Sequence, residues 1–235
     1  DRIESRGLGD VYKRQLGESK SNFPEHQQTL ISSTKYFIFE NEKPGRAFIK
    51  NITPNKNQSE INISILNKHT IEKEINSYLN PCFSGHNIAL ISDAGCPGIA
   101  DPGSQIVRLA HENEIKVIPL VGPSSILLAL MGSGMNGQNF KFNGYLPIEI
   151  SERKKKIKIL ENTSLFTTQI FMETPYRNKK FFSTLVSTLK PETKLCIACD
   201  LTLKTEYIKT KKVKHWKSTK VDIHKRPAIF LIQSD

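Results

Sequence analysis

Residues 87–103 read NIALISDAGCPGIADPG, from Asn87 to Gly103. The first six, NIALIS, form a short apolar run of the kind that makes a strand buried on both faces. Three glycines (Gly95, Gly98, Gly103) and two prolines (Pro97, Pro102) follow within eleven residues, Asp93 to Gly103. The glycines allow close backbone approach and positive φ, and the prolines stiffen the loop. Ser104–Asn113 then reads as an amphipathic helix. The segment is therefore a strand, a rigid loop and a helix. Asp93 falls at the carboxyl end of the strand, where open α/β sheets bind ligands. Two readings stand side by side: a loop that holds a nucleoside-like ligand through its backbone, or a merely tight βα connection.

The pattern continues on either side. Gln27–Lys35 reads as a short helix, Tyr36–Glu40 as a buried strand and Pro44–Lys50 as a helix. Ile61–Leu66 alternates as a strand, Ile71–Leu79 is helical in period, and Lys116–Val121 is another strand. This βα alternation predicts a mostly parallel sheet covered by helices. Beyond it the chain changes character. A strand-like 139–147 precedes a basic helix, Ser151–Asn162. Three strand candidates follow: Thr168–Met172, Lys194–Cys199 and Ala228–Gln233. Two α/β domains are expected, 16–121 and 122–235, with the boundary near Gly122–Pro123. Residues 1–15 show neither period. Their GLGDVYKRQ resembles translated adapter sequence, so they are expected to be a non-native leader.

Charge separates the two parts. The net charge is +11. Residues 1–150 hold 15 Lys and Arg against 15 Asp and Glu, whereas residues 151–235 hold 19 against 8. A neutral half joined to a basic half favours a polyanionic partner for the latter. A solvated basic surface is the plainer alternative. In the basic half, Arg153, Lys154, Lys155, Lys156 and Lys158 share one helix, and Lys204–Lys220 adds seven lysines with Tyr207 and Trp216 among them, which could stack on bases. No apolar run is long enough for a bilayer span, so no membrane is expected. The start lacks a signal-peptide pattern and the four cysteines form no secreted framework, so a cytoplasmic location is expected.

Gly122-Pro-Ser-Ser125 also follows a strand. Ser124 could cap the apolar helix Ile126–Met131, or the hydroxyls of Ser124 and Ser125 could hold a ligand. Two motifs look like decoys. Gly132–Gly137 spells GxGxxG, but after a helix and before a strand, which is the wrong context for a dinucleotide site. Cys196 and Cys199 spell CxxC within a strand, where i and i+3 face opposite ways. They read as core thiols, and no metal is expected.

The loop 93–103 and Gly122–Ser125, taken with further matches in order, resemble the tetrapyrrole methylase-like S-adenosylmethionine-dependent methyltransferases, most of all their ribosomal RNA branch. Those matches are Glu40–Lys43, Asn67–His69, Gly144–Pro147, Phe171–Arg177 and Asp200–Glu206. The chain departs from that pattern at Cys96, where a Thr is usual, and at Asp200, where a Glu is usual. Only Leu16-Gly17 remains of the family's opening strand, so the first strand is expected to be missing. A shorter sister group with a related target would share these departures.

The resemblance implies two α/β domains of the tetrapyrrole methylase-like fold with S-adenosyl-L-methionine held between them, in a homodimer. It places cofactor contacts at Asp93, Gly95, Cys96, Pro97, Ile99, Ser124, Ser125, Met172, Glu173, Pro227 and Ala228. Glu173, Arg177, Lys204 and Glu206 are the catalytic candidates, with ion pairing or phosphate positioning as the alternative role for each. The expected reaction is 2′-O-methylation of a ribose in small-subunit ribosomal RNA, so ribosomal RNA or the small subunit is the expected partner. C-methylation of a corrin or porphyrin-type ring and a non-catalytic RNA-binding role are the alternatives.

Overall fold

The computed structural model describes residues 2–7, 24–92, 96–100 and 102–234. It forms two compact units, Asp1–Ser124 and Ser125–Asp235. The division falls just past the expected Gly122–Pro123.

In the first unit, five strands form one parallel sheet: β1 (Arg2–Gly7), β2 (Tyr36–Phe39), β3 (Asn62–Ile65), β4 (Ile88–Ser92) and β5 (Lys116–Pro119). Their spatial order is β3-β2-β4-β1-β5. The expectation of a missing first strand is corrected here. Arg2–Gly7 fills that slot, with Ile3 opposite Ile88 on one side and Val117 on the other. An empty slot would leave two inner rows of backbone N–H and C=O groups unpaired, which a buried sheet does not tolerate. Ladder pairing uses only the backbone, so RIESRG can fill the slot without the apolar alternation that marks a strand in sequence. Leu16 and Gly17 lie outside the described residues.

Helices cover this sheet because its strands alternate between two apolar faces. Ile38, Ile88 and Leu90 pack with Leu79, Cys82, Ile106 and Ala110. Phe37, Phe39, Ala89 and Ile91 pack with Ile31, Phe48 and Ile49. The second set comes from α1 (Glu25–Ser33) and α2 (Glu42–Ile52). Within α2, Gly45 lies against the ring of Phe39, and a Cβ there would sit 2.5 Å from its Cγ. Gly45→Ala is therefore expected to destabilise the unit by about 1–3 kcal/mol through overpacking, despite alanine's better helix propensity. Urea unfolding checks this; an unchanged or raised midpoint would show that the helix can retreat freely.

Two short helices follow β3: α3 (Glu72–Ser77) and α4 (Asn80–Phe83). After β4 comes α5 (Ser104–Glu112), whose Ile106 and Ala110 share one buried face. The second unit opens with α6 (Ser125–Ser133) and holds a mixed sheet of β6 (Phe140–Tyr145), β7 (Thr168–Glu173), β8 (Lys194–Cys199), β9 (Tyr207–Lys212) and β10 (Ala228–Gln233). The spatial order is β6-β7-β10-β8-β9. β6 runs parallel to β7, β10 antiparallel to β7 and β8, and β8 antiparallel to β9.

One face of this sheet meets α6. There Cys196, Ala198, Ile229 and Leu231 pack on Ala129 and Leu130. The other face carries α7 (Ile150–Thr163), α8 (Asn178–Thr188) and α9 (Val213–Trp216), around Phe171, Phe181, Leu195 and Phe230. The three phenylalanines pack edge-on or offset, with centroids 5.1–6.4 Å apart, the arrangement ring quadrupoles favour.

Two aspects of the basic half differ from the sequence reading. Trp216 is no base-stacking platform: it is 1 % exposed, donates from Nε1 to Leu195 O at 2.8 Å and meets Phe182 edge-on. Arg153 is also interior, donating to Pro147 O and Ile148 O from beneath α7 and lying over the Phe181 ring. Tyr207 is half-buried against the same core. Lys154, Lys156 and Lys158 remain exposed on α7.

Candidate functional site

In the first unit, the glycine-rich loop leaves β4 at its carboxyl end, as the sequence predicts. Asp93 and Gly95 lie outside the described residues. From Cys96 onward the loop folds on itself: Ile99 N donates to Cys96 O at 3.0 Å and Gly98 N to Pro102 O at 3.3 Å. Gly103 has φ 139°, open only to glycine, and a Cβ there would press on Leu90 and on Gly98 N. Part of the glycine content thus serves the turn itself. Pro97 is half-buried, and Ile99 is 54 % exposed. At the same end of the sheet, Asn67 joins two strand ends by donating from Nδ2 to Glu40 O and accepting at Oδ1 from His69 N. Gln27 donates to Val121 O at 3.0 Å, tying α1 to the segment before Ser124.

In the second unit, the carboxyl ends of β7 and β8 flank the start of β10. Ala228 lies opposite Glu173 on one side and Cys199 on the other. Three of the expected site residues, Glu173, Pro227 and Ala228, thereby come to one end of one sheet. The Glu173 side chain is fully buried, and its Oε1 accepts three bonds: from Thr174 N at 2.7 Å, Arg177 Nε at 2.9 Å and Arg177 Nη2 at 2.7 Å. Its Oε2 is buried and has no hydrogen-bond partner among the described residues. A buried carboxylate oxygen without a donor is costly, and a bound group that donates to it would remove that cost. Arg177 keeps a third of its side chain in solvent. Its Nε and Nη2 are spent on Glu173 and Thr174.

A second ion pair braces the same end. Asp200 Oδ2 accepts from Arg226 Nε at 2.7 Å and from Thr205 Oγ1 at 2.8 Å. Arg226 spends its other nitrogens on the carbonyls of Asp222 and Thr205. Asn178, at the start of α8, donates to Arg226 O. Asp200, Thr202 and Lys225 all have positive φ. Such geometry is uncommon outside glycine and needs the surrounding network to hold it. Sequence reasoning missed Arg226 and Asn178, because the contacts that define them span 26 and 48 residues. The only local signal was an arginine directly before the Pro227-Ala228 strand start.

The remaining expected residues have plainer surroundings. Glu206 accepts from Thr202 N and so holds the strained turn. Lys204 is exposed in that loop. Met172 is half-buried and packs with the core on the α6 side. Cys96 and Ser124 belong to the first unit, and Ser125 starts α6 in the second.

The decoys resolve by their contacts. Gly132–Gly137 begins in the last turn of α6 and leads to β6. A Cβ on Gly132 would lie 2.8 Å from Ile208, so this glycine serves packing on β9. Cys199 joins the core of α7 and α8 while Cys196 joins that of α6, on opposite faces of β8. Burial pushes their thiols up to about 12 and about 11, respectively, which keeps both protonated and inert at neutral pH. Among the described residues, no cluster of His, Cys, Asp and Glu could hold a metal ion, and no helix is long and apolar enough to cross a membrane.

No family model matches the sequence. Curated relatives do. The chain is 35 % identical over 143 residues to the ribosomal RNA small subunit methyltransferase I of Vibrio cholerae serotype O1, covering 61 % of this chain and 49 % of the relative. It is 37 % identical over 126 residues to that of Mesorhizobium japonicum, covering 54 % and 42 %. With that of Bacillus subtilis it shares 36 % over 149 residues, covering 63 % and 50 %. The chain thus spans about half the length of the curated relatives it matches. Among solved structures, the methyltransferase CobJ superposes with a TM-score of 0.62 at 12 % identity, covering 99 % of this chain and 93 % of that one. Cobalt precorrin-4 methyltransferase CbiF superposes with a TM-score of 0.57 at 13 % identity, covering 99 % and 94 %. The chain therefore has the tetrapyrrole methyltransferase fold, and its sequence is similar to that of the ribosomal RNA small subunit methyltransferases I over more than half of its own length.

Proposed function

We propose that the chain transfers a methyl group from S-adenosylmethionine to a ribose 2′-hydroxyl of small-subunit ribosomal RNA. The observation that carries the chemistry is the Glu173–Arg177 pair, with one buried carboxylate oxygen that has no donor among the described residues and a guanidinium whose side chain is one third exposed. A ribose hydroxyl is a poor acid. An acceptor beside a fixed cationic donor suits its deprotonation, since the carboxylate oxygen takes up the proton while the guanidinium stabilises the developing alkoxide. Thr174 N and the β7 backbone hold Glu173 rigid, so little reorganisation is needed at the moment of transfer.

The residues present also fit the cofactor. Its sulfonium supplies an already activated methyl group. The proposed cofactor-binding residues are Asp93, Gly95, Cys96, Pro97, Ile99 and Ser124 of the first unit, and Ser125, Met172, Glu173, Pro227 and Ala228 of the second. The names of the relatives and the basic second half support RNA as acceptor. On this reading the chain works in the cytoplasm, as a homodimer.

Calorimetry with S-adenosylmethionine, followed by transfer of labelled methyl to unmodified small ribosomal subunits, tests the reading. Binding and an alkali-resistant dinucleotide in the product are expected. Absence of cofactor binding would overturn it in favour of a non-catalytic RNA-binding role, and label in a base would overturn the ribose assignment.

A further inference from the structure

We infer that a pocket at the start of α8 is a phosphodiester subsite, which grips the RNA backbone next to the acceptor nucleotide. This deepens the proposed function and rests on it for the identity of the polyanion.

The pocket lies wholly within the second unit. It is a cavity of about 420 Å³ lined by Lys179, Lys220, Val221, Asp222, Ile223 and His224, within the range of small-ligand sites. Lys179 and Lys220 are exposed, and neither has an acidic partner among the described residues. Their neighbours are otherwise committed. Lys212 and Lys214 are paired with Glu192, and Lys211 bonds Thr219. Asp222 is the one acid in the lining. Its Oδ1 accepts from His224 N and its carbonyl from Arg226 Nη1, so it serves the turn.

Helix electrostatics point the same way. The first turn of α8 holds Asn178, Lys179 and Lys180, no acid, and no capping side chain at Arg177. Two lysines at the positive end of a helix dipole repel it, and an anion between them and the free N–H groups would relieve that repulsion. Ile223 is buried and Val221 half-buried, so the apolar part of the lining suits a sugar or base face rather than a bare ion.

Hydrogen bonds link the pocket wall to the candidate catalytic end. Lys179 follows Arg177 by two residues, with Asn178 between them bonded to Arg226 O, and Arg226 in turn bonds Asp222 O in the pocket wall. A strand of RNA with its acceptor ribose at Glu173 would carry an adjoining phosphate across this start of α8.

The test is anisotropy of a short labelled single-stranded RNA against salt concentration, without cofactor. It compares the wild-type chain, the double variant Lys179→Ala with Lys220→Ala, and the control Lys154→Ala with Lys158→Ala on α7. Removing two phosphate contacts is expected to flatten the slope of log K against log salt by about 1.4, and to weaken binding about 10-fold or more near 0.1 M salt. The control should alter both much less. Equal losses in the two variants, an unchanged slope in the pocket variant, or no RNA binding by the wild type would each overturn the subsite. Inorganic phosphate is the second probe. If it shifts the NMR signals of Val221 and Ile223 while the RNA slope ignores the lysines, the pocket belongs to free phosphate and the RNA assignment falls. Cofactor binding is read separately. A lysine-dependent RNA slope in a chain that binds no S-adenosylmethionine would keep the subsite and remove methyl transfer.

Discussion

Glu173→Gln is expected to lower methyl transfer about 10²–10³-fold while the fold survives, the size of loss that follows removal of a general base. The amide is nearly isosteric with the carboxylate. Its oxygen can take the place of Oε1, where Thr174 N and both Arg177 nitrogens already donate. Its NH₂ must then occupy the place of Oε2, the buried oxygen that has no donor among the described residues. The substitution turns the one available acceptor into a donor and changes little else. Arg177 loses its charge partner, but a third of its side chain is in solvent, so the loss of stability is expected to stay near about 1 kcal/mol.

The kinetic split carries the information. An acceptor used only in the chemical step gives a fall in kcat with KM for RNA nearly unchanged. A rise in KM alone, with kcat within about threefold of wild type, would remove Glu173 from the reacting atoms and leave it as a brace for Arg177. Glu173→Ala is less informative. It leaves Arg177 without a partner in a partly buried site, and breaking such a pair costs up to about 3–5 kcal/mol. Lost activity could then reflect lost structure.

Where sequence and structure agree, the agreement has a physical basis, and so do the gaps. β4 was legible because NIALIS is apolar throughout and ends in glycines and prolines. Both sides of the strand are indeed covered, Ile88 and Leu90 on one and Ala89 and Ile91 on the other. β8 and β10 were legible for the same reason. β1 was not, because RIESRG joins the ladder through its backbone and carries no apolar period. β9 was hidden in a lysine-rich run that reads as solvated surface. It is an edge strand of its sheet, where lysines deter pairing with other chains. α8 was missed because Phe181 and Leu185 are its only fully buried apolar residues, too few to set a period.

The candidate site divides in the same manner. Glu173 and Arg177 are four residues apart and legible as one motif, and their i,i+4 contact forms as a local event. Asp200 and Arg226 meet only because β8 and β10 are neighbours. Short-range motifs therefore located the acid and its cation. The network that holds them, and the pocket at the start of α8, needed the sheet order.

Trp216→Ala is expected to destabilise the second unit by about 3–5 kcal/mol, the range for deleting a large buried aromatic. As a residue of a lysine-rich stretch, tryptophan invites a base-stacking role. Its surroundings give it another. The ring is 1 % exposed, Phe182 meets it edge-on with centroids 5.6 Å apart, and Lys211 lies over it at 5.4 Å. Its Nε1 donates to Leu195 O, so α9 is fastened to β8 by one hydrogen bond through the core. Alanine would empty the space and leave that carbonyl without its donor, two penalties that add. Trp216→Phe separates them, since it keeps most of the volume and loses only the bond, and should cost about 1–2 kcal/mol. Urea unfolding followed by circular dichroism reads both losses. RNA anisotropy on the folded Trp216→Phe variant distinguishes the two roles. A core tryptophan leaves affinity and salt slope at the wild-type values, because the lysines that meet phosphate are untouched. A stacking tryptophan replaced by phenylalanine would weaken binding with stability preserved, and that pattern would contradict the packing described here.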